Sequence, residues 1–256
     1  MVAGNTLSKA QIKLFRSLEI KKYRNETKLF FVEGTKAVKE FLKYGWEVYA
    51  LIATERWVKE NLAEISFKTY IVSKTEINKI SLQKTPQEVL AIFKQKEPKF
   101  PEMIENKLGL ALDTLQDAGN VGTIIRLSLW FGFDYVFFSE GTVDPYNPKV
   151  IQATMGALAK TIFYRGSLAL FLADNKGKTN IYGTFMDGEN IYKAQLSRHG
   201  IVVLGNEGNG ISKQVANLID RKLAIPPFPQ DAYPLDSLNV ATAAAIVCSE
   251  FRRRNS

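Results

Sequence analysis

In the second half of the chain, short apolar runs give way three times to polar loops whose residues could bind and polarise a ligand. The first run, Leu108 to Leu112, leads into Asp113-Thr-Leu-Gln-Asp117-Ala-Gly-Asn120, and Arg126 follows amid apolar neighbours. The second, Ile201 to Leu204, leads into Gly205-Asn206-Glu207-Gly208-Asn-Gly210. The third, Lys222 to Ile225, leads into Pro226 and a long loop, then Ser237-Leu238-Asn239-Val. Open α/β sheets hold ligands outside the carboxyl ends of their strands, so three such loops imply one composite pocket. Glycines in the second loop let backbone approach a ligand and expose N–H groups at a helix start. Their order, G-x-x-G-x-G, is neither the dinucleotide fingerprint nor a phosphate-binding loop ending in Lys-Ser or Lys-Thr. Structural roles compete for two of these residues, because Asn120 and Ser237 stand where helix caps are expected.

Composition narrows the chemistry. One histidine, His199, leaves no multi-histidine metal site and disfavours a His-based nucleophilic triad, and one cysteine, Cys248, excludes internal disulfides and Cys-rich zinc sites. Cys248 reads as a small hydrophobe of a packed helix in a reducing compartment. No apolar stretch is long enough to span a bilayer and the N-terminus has no signal-peptide core, so the expectation is a cytoplasmic protein without membrane or metal partners. The formal charge of +8 raises the expectation of a polyanionic partner.

That charge is unevenly placed. Met1 to Pro101 holds 19 Lys and Arg against 11 Glu, whereas Glu102 to Ser256 holds 15 of each sign. Glycine divides the other way, 3 against 14, and the polar, Pro-containing segment Gln95 to Lys107 marks a domain boundary, placed between residues 98 and 99. Within the first part, Ser8 caps a helix carrying Ile12, Leu14, Phe15 and Leu18. Strand candidates at 29–32, 47–53, 69–72 and 89–93 alternate with helices around 37–42, 57–62 and 77–82, which describes a small α/β domain. Its cations cluster at Lys9, Lys13, Arg16, Lys21, Lys22, Arg24 and Lys28, a candidate surface for a phosphate backbone.

In the second part, helices are expected from Val121, from Ile211 or Ser212, and across Ser237 to Glu250. The three loops together resemble the SpoU (TrmH-like) RNA 2′-O-ribose methyltransferases of the SPOUT superfamily. Leu112-Asp-x-x-x-Asp117-x-x-Asn120-x-Gly122-x-x-x-Arg126 is similar to the family's first motif, Leu204-Gly-Asn-Glu207-Gly to the second, and Ile225-Pro226 with Ser237-Leu-Asn239-Val to the third. Asn147-Pro-Lys149-Val and Met155-Gly-Ala157 fit a segment between them, while Lys22-Tyr-Arg24 and Phe31-Val-Glu33-Gly34 resemble the ribosomal-protein-like RNA-binding domain that many members carry.

The resemblance implies a knotted (deep trefoil) α/β methyltransferase domain with a parallel sheet over 99–256, behind a small α/β RNA-binding domain over 1–98. It implies S-adenosylmethionine as methyl donor, a ribose 2′-hydroxyl as acceptor, and a homodimer whose interface involves the C-terminal helix. By position the catalytic set is Asn120, Arg126, Glu207, Ser237 and Asn239, and the cofactor set Leu204, Gly205, Asn206, Gly208, Ile225, Pro226 and Leu238. RNA contacts fall to Lys9, Lys13, Arg16, Lys21, Lys22 and Arg24, with ribosomal favoured over transfer RNA by analogy. Arg126 is expected to clamp a phosphate and stabilise alkoxide charge, with Glu207 and Asn120 orienting either that guanidinium or the ribose, and Ser237 with Asn239 fixing the cofactor loop and nucleotide. Ala118 replaces a usual Pro, Gln152 a common Arg, and the third loop is longer than usual, with Phe228, Tyr233 and Asp236 reshaping the nucleotide entrance. Rival readings are a non-catalytic RNA-binding or ribosome-assembly factor and a base-modifying SPOUT enzyme.

Overall fold

A computed structural model describes residues 7–63, 67–96, 104–229 and 237–253. The chain divides into two compact units, one formed by Met1–Glu97 with Asp144–Lys160, the other by Pro98–Val143 with Thr161–Ser256. Residues 98 and 99, where the sequence places the boundary, and Tyr233 and Asp236 of the long loop lie outside the described residues.

The first unit is built on a sheet ordered β1-β4-β2-β3. Strand β1 (Leu29–Glu33) runs antiparallel to β4 (Val89–Lys94), β4 antiparallel to β2 (Val48–Ala53), and β2 parallel to β3 (Thr69–Ile71). Its helices are α1 (Lys9–Ser17), α2 (Lys21–Thr27), α3 (Thr35–Lys43), α4 (Glu55–Asn61), α5 (Lys74–Ile80) and α7 (Pro148–Thr154), the last packed on β1. Ser8 caps α1 through a reciprocal capping box with Gln11, and Ser73 does the same for α5 with Glu76. Because side chains alternate along a strand, β1 feeds two cores. Leu29 and Phe31 join Phe15, Leu18, Ile77 and Ile80 on one face. Phe30 points the other way, its ring centroid 4.6–5.8 Å from Phe41, Trp46, Phe93 and Tyr146. The Trp46 indole N–H donates to the Ala159 carbonyl at 2.9 Å, so the 144–160 segment completes this second core.

The second unit carries a six-stranded, all-parallel sheet ordered β10-β8-β9-β5-β6-β7. The strands are β5 (Leu108–Leu112), β6 (Tyr135–Ser139), β7 (Phe163–Gly166), β8 (Ile181–Asn190), β9 (Gly200–Leu204) and β10 (Arg221–Ala224). Both central strands, β5 and β9, are buried along their whole length, as their unbroken apolar runs require in a parallel sheet. The helices are α6 (Ala118–Trp130), α8 (Leu168–Asn175), α9 (Lys213–Ala216) and α10 (Val240–Arg253), with α10 lying on α6. The helix expected after the second loop is thus a four-residue turn starting at Lys213. Leu112 pairs with Leu204, so the loops after β5 and β9 leave the sheet side by side. Among the described residues, no helix is long and apolar enough to cross a membrane.

Candidate active site

The first two loops are knitted together by their own polar groups. Asp113, buried, accepts the Ser212 N–H at 2.8 Å, while its own N–H donates to the Leu204 carbonyl at 2.9 Å. In the second loop, Asn206 and Gly210 exchange two backbone hydrogen bonds of 2.9 and 2.8 Å. The Asn206 side chain accepts from the Gly208 and Asn209 N–H groups at 2.9 and 3.2 Å and donates to the Thr114 carbonyl at 2.9 Å. Gly205 is the point of closest approach, since a Cβ there would lie 2.4 Å from both Gly210 C and Ile211 N. Held by these internal bonds, Glu207 stands at an exposed tip of the loop.

Three side chains meet there. The Asn120 amide donates to Glu207 Oε1, and the Asn239 amide donates to the same oxygen at 2.9 Å and to Asn120 Oδ1 at 3.1 Å. The caps explain how they are free to do so. Asp117 caps α6 by accepting the Asn120 N–H at 2.7 Å, so Asn120 is not the cap that its position suggested. Asn239 accepts the Ala241 and Thr242 N–H groups at 3.0 and 3.2 Å through Oδ1, leaving its NH₂ for the cluster, whereas Ser237 is exposed and makes no cap bond. Asp113, Asp117 and Thr114 were not singled out for these roles. Only Asp117 carried a local signal, an Asp three residues before Asn120 at a helix start.

Arg126 stands apart from the cluster. Six residues of helix advance about 9 Å and turn about 600°, which puts it on a different face of α6 from Asn120. It is exposed, and no hydrogen bond or ion pair of its guanidinium is present among the described residues. The expected orientation of Arg126 by Glu207 and Asn120 is therefore not formed within this chain. The Glu207 carboxylate takes the two amides instead.

A family model for the SpoU rRNA methylases matches residues 107–249, more than half of the chain and all three loops. The chain belongs to the SpoU rRNA methylase family. It is accordingly an RNA methyltransferase that uses S-adenosylmethionine. A second model, for an MRM3-like substrate-binding domain, matches residues 9–91. The chain is 28% identical over 244 residues to the Bacillus subtilis 23S rRNA (guanosine(2553)-2′-O)-methyltransferase RlmP, covering 94% of this chain and 96% of that one. A TrmH-family protein from Porphyromonas gingivalis superposes with a TM-score of 0.89 at 38% identity, over 98% of this chain and 100% of the other. An rRNA methyltransferase from Sinorhizobium meliloti with bound AdoMet gives 0.87 at 28% identity, over 98% and 97%.

The SpoU assignment can be tested against the residues expected to hold the cofactor. Leu204 is buried at the end of β9, Ile225 and Pro226 are half-buried beyond β10, and Leu238 is 48% exposed. An adenine ring needs such apolar walls and the sulfonium tail needs backbone polar groups, which Gly205, Asn206 and Gly208 carry in the adjoining loop. The residue set fits the group. Among the described residues, no group of three or more His, Cys, Asp or Glu could hold a metal ion.

In the first unit, Lys9, Lys13, Arg16, Lys21 and Lys22 are exposed, as RNA contacts must be. Arg24 requires correction. It is 1% exposed, and its guanidinium donates to Asp144 Oδ2 at 2.9 and 2.7 Å and to the Leu18 and Glu19 carbonyls at 2.8 and 2.7 Å. Four of its five N–H donors are engaged inside the unit and the side chain is buried, so it does not reach a phosphate.

Cys248 lies buried within α10, and loss of solvation pushes its thiol up to about 12. The thiolate is the reactive form. Native protein at pH 8 is expected to leave a disulfide-exchange reagent unconsumed, and one equivalent of thiol should appear on unfolding in denaturant. Rapid reaction of the native protein would contradict the burial.

Proposed function

We propose that the protein transfers a methyl group from S-adenosylmethionine to a ribose 2′-hydroxyl of ribosomal RNA, acting as a cytoplasmic homodimer with a trefoil-knotted catalytic domain. The observation that carries this reading is the convergence of Asn120, Glu207 and Asn239, one from each loop, on a single carboxylate oxygen beside the proposed cofactor loops. Ribosomal RNA is supported over transfer RNA by the names of two relatives, one covering 94% of this chain and the other 79%.

Bound S-adenosylmethionine supplies an electrophilic methyl group for in-line displacement, which demands accurate placement of the hydroxyl oxygen. Glu207 Oε1 is taken by the two amides, so Oε2 faces the ribose or an incoming guanidinium. Asn120 and Asn239 fix the carboxylate's plane, and Ser237 is placed to hold the nucleotide. A guanidinium is a poor base, so the role of Arg126 is to clamp the neighbouring phosphate and stabilise charge developing on the ribose oxygen. Within one chain Arg126 does not meet the cluster, a separation that favours completion of the site by a second copy.

The deciding experiment is transfer of labelled methyl to unmodified ribosomal and transfer RNA, followed by nucleoside analysis. Label on a ribose 2′-oxygen of rRNA is expected, with at least a tenfold loss for Arg126→Ala at unchanged cofactor affinity. Label on a base, or near-normal turnover by the variant, would overturn the assignment, and a monomer by sedimentation would remove the dimer.

A further inference from the structure

Within the first unit, a cavity of about 270 Å³ lies between the end of α1, strand β1, the loop after α5 and the start of α7. Its lining combines the apolar Phe31, Leu82, Pro148 and Ile151 with Gln83, Asn147, Lys149 and Gln152. The two carboxylates present differ in availability. Glu33 is nearly buried and accepts from the Ser81 hydroxyl at 2.6 Å and from the Leu82 and Gln87 N–H groups at 3.3 Å each, which pins the loop that carries Gln83. Glu19 is exposed at the rim. The Asn147 carbonyl oxygen caps α7 by accepting the Lys149 N–H at 2.9 Å, and the side-chain amides of Gln83 and Gln152 have no partner in this cavity among the described residues.

We propose that this cavity receives one unstacked nucleobase of the RNA strand. A lining of apolar side chains mixed with carboxamides, each offering both a donor and an acceptor, suits a neutral planar heterocycle read along its hydrogen-bonding edge. A phosphate is a poorer match, since the single cation Lys149 is opposed by Glu19 and Glu33. The volume lies just below the range of drug-sized sites, which matches one ring system rather than a dinucleotide. The site would let the first unit recognise substrate identity, beyond the sequence-blind grip of Lys9 to Lys22 on the backbone. The uncharged amide of Gln152 adds hydrogen-bonding groups to the cavity without adding the positive charge that a phosphate site needs. The inference rests on the RNA-methyltransferase reading only in that RNA is the ligand.

The test is direct binding of unmodified ribosomal RNA and of transfer RNA without S-adenosylmethionine, at several salt concentrations, so that it does not depend on where a methyl group goes. The Gln83→Ala, Gln152→Ala double variant should bind the preferred RNA about tenfold more weakly with an unchanged salt slope, the signature of a lost base contact. The single Gln152→Ala variant, at an exposed helical position, should move the same way and serves if the double variant does not fold. Unchanged affinity, or weakening accompanied by a shallower salt slope, would overturn the base site. A wild type that prefers transfer RNA would displace the ribosomal substrate under the proposed function while leaving the comparison of variants in force.

Discussion

Gly205→Ala is expected to lose cofactor affinity by about a hundredfold and to lower stability by about 3 kcal/mol, the upper end for forcing extra atoms into a closed space. The added Cβ would sit 2.4 Å from Gly210 C and Ile211 N, both backbone atoms, so no side-chain rotation can relieve the overlap. Relief requires parting the Asn206–Gly210 pair, which carries Glu207 away from Asn120 and Asn239. Gly208→Ala provides the contrast, because its new atom would meet only Asn206 Oδ1 at 3.6 Å, ordinary contact distance. Its thermal midpoint should match the wild type. Calorimetric titration with S-adenosylmethionine and thermal unfolding of both variants give the two readouts, and a Gly205→Ala protein with wild-type affinity would show that the loop's closure is dispensable.

Asp144→Ala should be the most destabilising single change in the first unit. Asp144 and Arg24 are 5% and 1% exposed, and removal of the carboxylate would leave a guanidinium out of water with only two carbonyl acceptors. Breaking a buried pair in this way costs about 3–5 kcal/mol, whereas replacing both members by apolar residues of similar size is often neutral. Arg24→Met combined with Asp144→Leu is expected to recover part of the loss, because the Tyr146 N–H that donates to Asp144 Oδ1 at 3.0 Å still loses its acceptor. The deficit of the single variant should persist in high salt, since buried charges are screened little. Chemical denaturation of wild type, single and paired variants measures this, and a loss below about 1 kcal/mol for Asp144→Ala would show that the pair behaves like an exposed one.

The same pair separates what can be read locally from what cannot. Lys22-Tyr-Arg24 looks like part of a basic surface because its neighbours in sequence are cations, yet the partner that buries Arg24 is 120 residues away. No pattern within α2 announces it. The 144–160 segment likewise lies in sequence between catalytic motifs but clusters with the first unit, through Asp144, Tyr146 and Ala159.

What the amino-acid sequence determined by itself is the part of the molecule written in short-range terms. The cap at Ser8 and the buried runs of β5 and β9 each depend on residues within a few positions of one another, where helix and strand periodicity act, and the charge asymmetry and the three loop motifs are read directly from residue order. Only the tertiary structure decided which polar groups serve as caps and which serve the site. Asn120 and Ser237 were eligible as caps, yet the side-chain oxygens of Asp117 and Asn239 took those roles, and the amide hydrogens of Asn120 and Asn239 go to Glu207, 87 and 32 residues away. The physical reason is that a carboxylate held at a loop tip draws donors through space, and the sheet register that aligns Leu112 with Leu204 is what sets those donors within reach.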